Sequence, residues 1–218
     1  MSFADSINAP LKRIPVLPLY GVALMPAIWL FYRAFAGALG ADPMRVLEHE
    51  LGLWSLKFML AALAVTPLRN HAGINLLRFR RMLGLTAFYY AIIHLCVYLL
   101  LDRQLAWAEI GADLYKRPYI IFGMSAFILL IPLALTSTNK AISRLGAMTW
   151  RKLHRLAYPA AILMIMHYLW LVKSWTAEPL AYAFATAVIL GLRLVDFKQK
   201  RNSSDKRKPA AMRRPEPS

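Results

Sequence analysis

Six apolar runs, each close to the roughly twenty residues that span a bilayer, alternate along this chain with short clusters of charge. They predict helices over about 17–36, 51–67, 83–101, 118–135, 153–171 and 180–195. Pro26, Pro132 and Pro159 fall inside apolar runs. Membrane helices tolerate such prolines because neighbouring groups satisfy the freed carbonyls, so kinks are expected there, not breaks. The expected fold is all-α: a six-transmembrane-helix bundle over 17–196, preceded by a short segment over 1–16 and followed by a tail over 197–218. Six crossings place both termini on one side.

Composition sharpens this picture. Hydrophobic residues make up 59% of the 218 and mean hydropathy is +0.44, beyond the soluble average. Of the 27 Lys and Arg residues, 20 fall in the N-terminal segment, the second-to-third loop, the fourth-to-fifth segment and the C-terminal end, leaving seven for the other side. By the positive-inside rule both termini are then cytoplasmic. This bias accounts for much of the net charge of +16, and no motif of a nucleic-acid-binding fold accompanies it, so nucleic acid is not an expected partner. The stretch from Met1 to Ile14 lacks an apolar core followed by a small-residue cleavage site, so insertion is expected to rely on the first helix. From Lys198 onward the composition turns to Lys, Arg, Ser and Pro. Disorder is expected there, with basic residues that anchor topology and attract anionic membrane lipid. No internal repeat and no glycine-rich phosphate loop is found.

The single cysteine, Cys96, excludes intrachain disulfides and cysteine-ligated clusters, which leaves histidine as the metal-binding side chain. His49, between Glu48 and Glu50, and His71, in a polar turn, are expected to be solvated loop residues. His94 lies within the third apolar run and His167 within the fifth. An imidazole in lipid needs a partner to offset its desolvation. Both helices run outward from the cytoplasm, with the two histidines about 11 and 14 residues from their starts. At about 1.5 Å per residue their depths agree within a few ångströms. Two imidazoles at equal depth on different helices suit one planar haem.

His154 precedes His167 by 13 residues, roughly 20 Å along a helix. The matching level of the third helix carries Arg80 and Arg81, so an inner haem site would lack its second histidine. His154 is therefore a candidate for a second haem, for a haem propionate or quinone headgroup, or for an interfacial helix cap. Most of the surrounding arginines are expected to serve topology. Arg80, Arg81 and Arg151 are nevertheless candidate partners of haem propionates or flavin phosphate, because guanidinium matches both bidentately.

The chain resembles the MsrQ family, also called YedZ, of the ferric-reductase-like transmembrane group. The resemblance covers roughly residues 10–197. It rests on Arg80-Arg81-Met82-Leu83-Gly84-Leu85 with His94, on Leu133-Ala134-Leu135-Thr136-Ser137, and on Trp150-Arg151-Lys152-Leu153-His154-Arg155-Leu156-Ala157-Tyr158 with His167 and Trp170. It implies a haem b subunit of the bacterial inner membrane, itself not the catalytic subunit. Such a subunit takes electrons from the quinone pool to MsrP, a periplasmic molybdopterin enzyme that reduces methionine sulfoxide in oxidised proteins. The resemblance also implies FMN, for which no motif is present. NADPH oxidases and ferric reductases of the same group pair histidines at both levels and carry a cytoplasmic flavin and nicotinamide domain. This chain has Arg80 or Arg81 at the inner level and a short tail, which argues against direct oxidation of NADPH. The alternative reading is a quinone- or flavin-linked transmembrane ferric or metal reductase. A transporter is disfavoured by the lack of repeats.

Overall fold

The computed structural model describes residues 3–172 and 176–206. Its helices are α1 (Phe3–Leu11), α2 (Val16–Phe35), α3 (Pro43–Ala72), α4 (Arg80–Cys96), α5 (Trp107–Lys116), α6 (Pro118–Leu135), α7 (Asn139–Leu145), α8 (Ala147–Leu153), α9 (Ala157–Leu171) and α10 (Ala177–Lys206). A 3₁₀ turn, Leu77–Phe79, leads into α4, a π-helical turn, Val97–Asp102, prolongs it, and a second 3₁₀ turn, His154–Leu156, leads into α9. Among the described residues there is no strand. Five helices are long and apolar enough to cross a membrane: α2, α3, α4 with its flanking turns, α6 and α10. The predicted fifth crossing corresponds to α9, whose 15 residues extend about 22 Å.

The long α3 departs most from expectation. It begins at Pro43, eight residues before the predicted start, because Asp42 caps it by accepting the Arg45 N–H at 3.2 Å and proline suits the first helical position. It ends at Gly73, whose φ of 69° is the left-handed conformation that glycine adopts without strain. Glu48, His49 and Glu50 are therefore helical, and His71 lies in the last turn of α3, 3.3 Å from Asp196. Charge alone had made both stretches read as loop. Helix α10 continues to Lys206, past the predicted end at 195, while residues 207–218 lie outside the described part.

The two most extensively packed helix pairs are α3 with α4 and α6 with α9. Against them lie α10, on α3 and α9, and α2, on α3 and α4. Buried apolar side chains knit the pairs together: Met59, Leu63, Ala87, Leu130, Leu133 and Ala160 form one continuous cluster. Polar groups in this interior are satisfied across helices. Ser55 donates to the carbonyl of Ala87 at 2.8 Å. Tyr90 inserts its hydroxyl into the ladder of α2, accepting from the Ala27 N–H at 3.1 Å and donating to the Ala23 carbonyl at 2.8 Å. An inserted side chain beside Pro26 marks where α2 is free to bend, with the Ala23 carbonyl and the Ala27 N–H both kept satisfied.

The bundle has two unlike ends. At one, Asn8 of α1 donates to the Gly73 carbonyl at 2.9 Å and accepts from the Asn75 N–H at 2.8 Å, while Arg78 donates to the carbonyls of Leu11 and Lys12. Arg81 and Asn139 join across this same end at 2.7 Å. The opposite end carries Asp42, Arg45, Arg103, Asp113 and Arg117 and opens into a cavity.

Candidate functional site

The cavity encloses about 1160 Å³ between α3, α4, α6 and α9. Apolar residues, among them Ala91, Leu95, Ala126, Phe127, Leu130 and Met164, wall its deeper part. His94 enters from α4 and His167 from α9, both partly buried. Their ring centroids are 6.2 Å apart and their planes are inclined at 78°.

Each ring is held by a backbone carbonyl of another helix. His94 Nδ1 lies 2.9 Å from the Glu48 carbonyl oxygen on α3, and His167 Nδ1 lies 2.7 Å from that of Tyr119 on α6. A carbonyl can only accept, so each Nδ1 carries the proton and each Nε2 is left with its lone pair. This is the tautomer of a metal-ligating histidine whose other nitrogen is oriented by the protein.

The spacing suits one iron between the rings. Two metal–nitrogen bonds of about 2.0 Å, plus about 1.1 Å from each ring nitrogen to its centroid, require centroids roughly 6.2 Å apart. The observed 6.2 Å meets that requirement. His94 and His167 would hold a haem iron between them, and the apolar cavity beside the rings would suit its apolar macrocycle. The residues present thus fit haem.

The other predicted residues stand apart from this cavity. His154 Nε2 is 3.1 Å from the Thr136 hydroxyl, and its ring stacks on Trp150 with centroids 3.9 Å apart. Arg81 is exposed and bound to Asn139, and Arg151 is exposed on α8. Arg80 is partly buried and faces Arg193, Tyr158 and His154 electrostatically. None of these four residues lines the cavity that holds His94 and His167.

Several cavity residues escaped the sequence reading. His49, placed in a loop from sequence, lines the cavity from α3 beside Tyr168, ring centroids 5.7 Å apart. Glu48 lines it too, and its Oε1 is buried without a hydrogen-bond partner among the described residues. At the mouth, buried Asp113 accepts from Arg103 Nη2 at 2.7 Å, Arg117 Nε at 3.1 Å and the Tyr98 hydroxyl at 3.1 Å. Burial works against the Arg103 charge, but Asp102 and Asp113 more than offset it and raise its pKa, so it stays cationic. The early cap at Asp42-Pro43 was the one sequence signal that could have extended α3 to Glu48 and His49.

Comparison with known proteins places these features in context. Residues 50–165 match the family model described as ferric reductase like transmembrane component. The chain is 46% identical, over 89% of its length and 92% of the relative's, to the protein-methionine-sulfoxide reductase heme-binding subunit MsrQ of Agrobacterium fabrum. It is 48% identical to the protein of that name from Brucella anthropi and 49% to that from Brucella ovis, in each case over 81% of this chain and 80% of the relative.

Proposed function

Because this chain belongs to the MsrQ family of haem-binding subunits, within the ferric-reductase-like transmembrane components, we propose that it is an electron carrier of the bacterial inner membrane holding one haem b between His94 and His167. The observation that carries this is the pair of imidazoles in one cavity, ring centroids 6.2 Å apart, with both Nδ1 atoms committed to carbonyls. When bound, the haem supplies a one-electron iron couple. The protein's part is to orient and insulate. Glu48 and Tyr119 fix the ligand tautomers through their backbones, and the apolar walls keep water from the macrocycle.

In the proposed topology α2, α3, α4, α6, α9 and α10 cross the membrane, both termini are cytoplasmic, and the cavity mouth faces the periplasm. The distribution of Lys and Arg supports this, as does α9, which packs along the full-length crossing α6. Electrons come from the quinone pool and leave at the mouth to a periplasmic MsrP-type molybdopterin reductase of oxidised methionine in proteins. The relatives' names, which call them heme-binding subunits of a protein-methionine-sulfoxide reductase, support a catalytic partner that acts on oxidised methionine. The mouth offers exposed Glu109 of α5 beside Arg103 as part of a docking surface.

Absorption spectra with haem quantification, for the wild type and for His94→Ala, His167→Ala and His154→Ala, test the site. Loss of haem from the first two variants and retention in the third is expected. Retention of full haem in both His94→Ala and His167→Ala would overturn it.

A further inference from the structure

The carbonyls that receive the two histidines occupy the same place relative to a glycine. Glu48 lies four residues before Gly52 on α3, and Tyr119 four residues before Gly123 on α6. In a helix the carbonyl at i already accepts the N–H at i+4, so a further donor must reach its second lone pair. The side chain at i+4 leans back over that carbonyl and ordinarily covers it. Glycine leaves it bare. A Cβ built at Gly52 would lie 3.3 Å from His94 Nδ1, and one at Gly123 would lie 2.8 Å from His167 Nδ1. A methyl group would thus enter the space in which each ring meets its acceptor.

The equivalence extends to the way the chain is wound. His94 follows Gly52 by 42 residues and His167 follows Gly123 by 44. Glycine and histidine come in each case from the two members of a closely packed pair, α3 with α4 and α6 with α9. The residues around the two glycines, Leu51-Gly52-Leu53 and Phe122-Gly123-Met124, do not repeat, which is why the sequence betrays no period.

We infer that the clamp consists of two copies of one half-site, each joining a glycine-bared carbonyl on one helix to a histidine on its partner, and that Gly52 and Gly123 are positioning residues for the axial ligands. The inference rests on the assignment of haem to His94 and His167. The notches set the rotation of each ring and hence the 78° between their planes. Near-perpendicular axial imidazoles give low-spin ferric haem a strongly anisotropic electron paramagnetic resonance spectrum. The hydrogen bond at Nδ1 makes each ligand a stronger donor and favours the ferric state.

The test uses purified holoprotein carrying Gly52→Ala or Gly123→Ala, with Gly84→Ala and Gly191→Ala as controls, since a Cβ at either control position meets nothing within 4 Å. The readouts are the ferric resonance spectrum, the haem midpoint potential and the haem content. Both notch variants should show altered anisotropy and a raised potential, more so for Gly123→Ala, which should also lose haem. The controls should match the wild type. A wild-type spectrum and potential in Gly52→Ala, where the ring need yield only slightly, would overturn the inference whatever Gly123→Ala does. Retention of haem in His94→Ala and His167→Ala is a separate outcome, which removes the site itself.

Discussion

Arg193 donates from Nε and Nη2 to the carbonyl oxygen of Leu63, at 2.8 and 2.6 Å. That carbonyl is the one deprived of its helical donor by Pro67, four residues on. The remaining donors reach the Tyr158 and Thr66 hydroxyls at 3.0 and 3.2 Å, so α10 repairs the break in α3 and is fastened to α9 by the same guanidinium. Arg193→Met should destabilise the bundle by about 2–3 kcal/mol, since hydrogen bonds to a charged group are lost from a buried site. In a Pro67→Ala background, with the helical donor restored, that cost should fall by about 1 kcal/mol. Equal costs in both backgrounds, measured by thermal unfolding in detergent, would separate the two residues.

Tyr90 stands one helical turn before His94 and is spliced into α2 by two hydrogen bonds. Tyr90→Phe removes both bonds while keeping the ring. A loss of about 1–2 kcal/mol is expected, together with faster amide exchange in α2 around Ala23 and Ala27. Unchanged exchange there would mean that α2 closes its own ladder once the hydroxyl is gone.

Asp113 gathers Arg103, Arg117 and the Tyr98 hydroxyl at the cavity mouth. Asp113→Asn removes the charge that balances two guanidinium groups, one of them mostly buried. Helix α5 should loosen from the bundle, with protease cleavage between residues 103 and 117 accelerated at least several-fold and high salt partly restoring resistance by screening the arginines. Equal cleavage rates for variant and wild type would show that α5 is held by its apolar face alone.

If His94 and His167 both ligate the iron as proposed, the reduced holoprotein should not bind carbon monoxide. Its α and Soret bands should remain in place under the gas. His154→Ala should behave likewise, because His154 is engaged by Thr136 and Trp150 away from the cavity. A carbon monoxide spectrum in the wild type would require one of the two histidines to be displaced.

What the sequence revealed and what it hid follow from the kind of interaction involved. Apolar runs are long-range averages, so the helices emerged with most boundaries near their observed places, and His94 and His167 were recognisable as polar rings embedded in such runs. The start of α3 was obscured because Glu48, His49 and Glu50 read as a solvated cluster, although Asp42 and Pro43 carried a cap signal. The acceptors of the two histidines were hidden for a deeper reason. Backbone carbonyls are present at every position, and only the pairing of α3 with α4 and of α6 with α9 selects Glu48 and Tyr119. Arg193 was counted only with the positive charges of the C-terminal end, since its role depends on a proline 126 residues earlier in the chain.

The cavity opens at one end of the bundle, and His154, near the opposite end, precedes His167 by 13 residues, roughly 20 Å of helical rise. In the proposed orientation an electron that entered from a quinol at the cytoplasmic face would cross most of the transmembrane voltage before reaching the His94–His167 site, whereas its departure through the mouth would cross little of it. Moving one full charge across 100 mV is worth about 2.3 kcal/mol. Filling such a carrier would then be sensitive to how strongly the cell is energised, and emptying it would not.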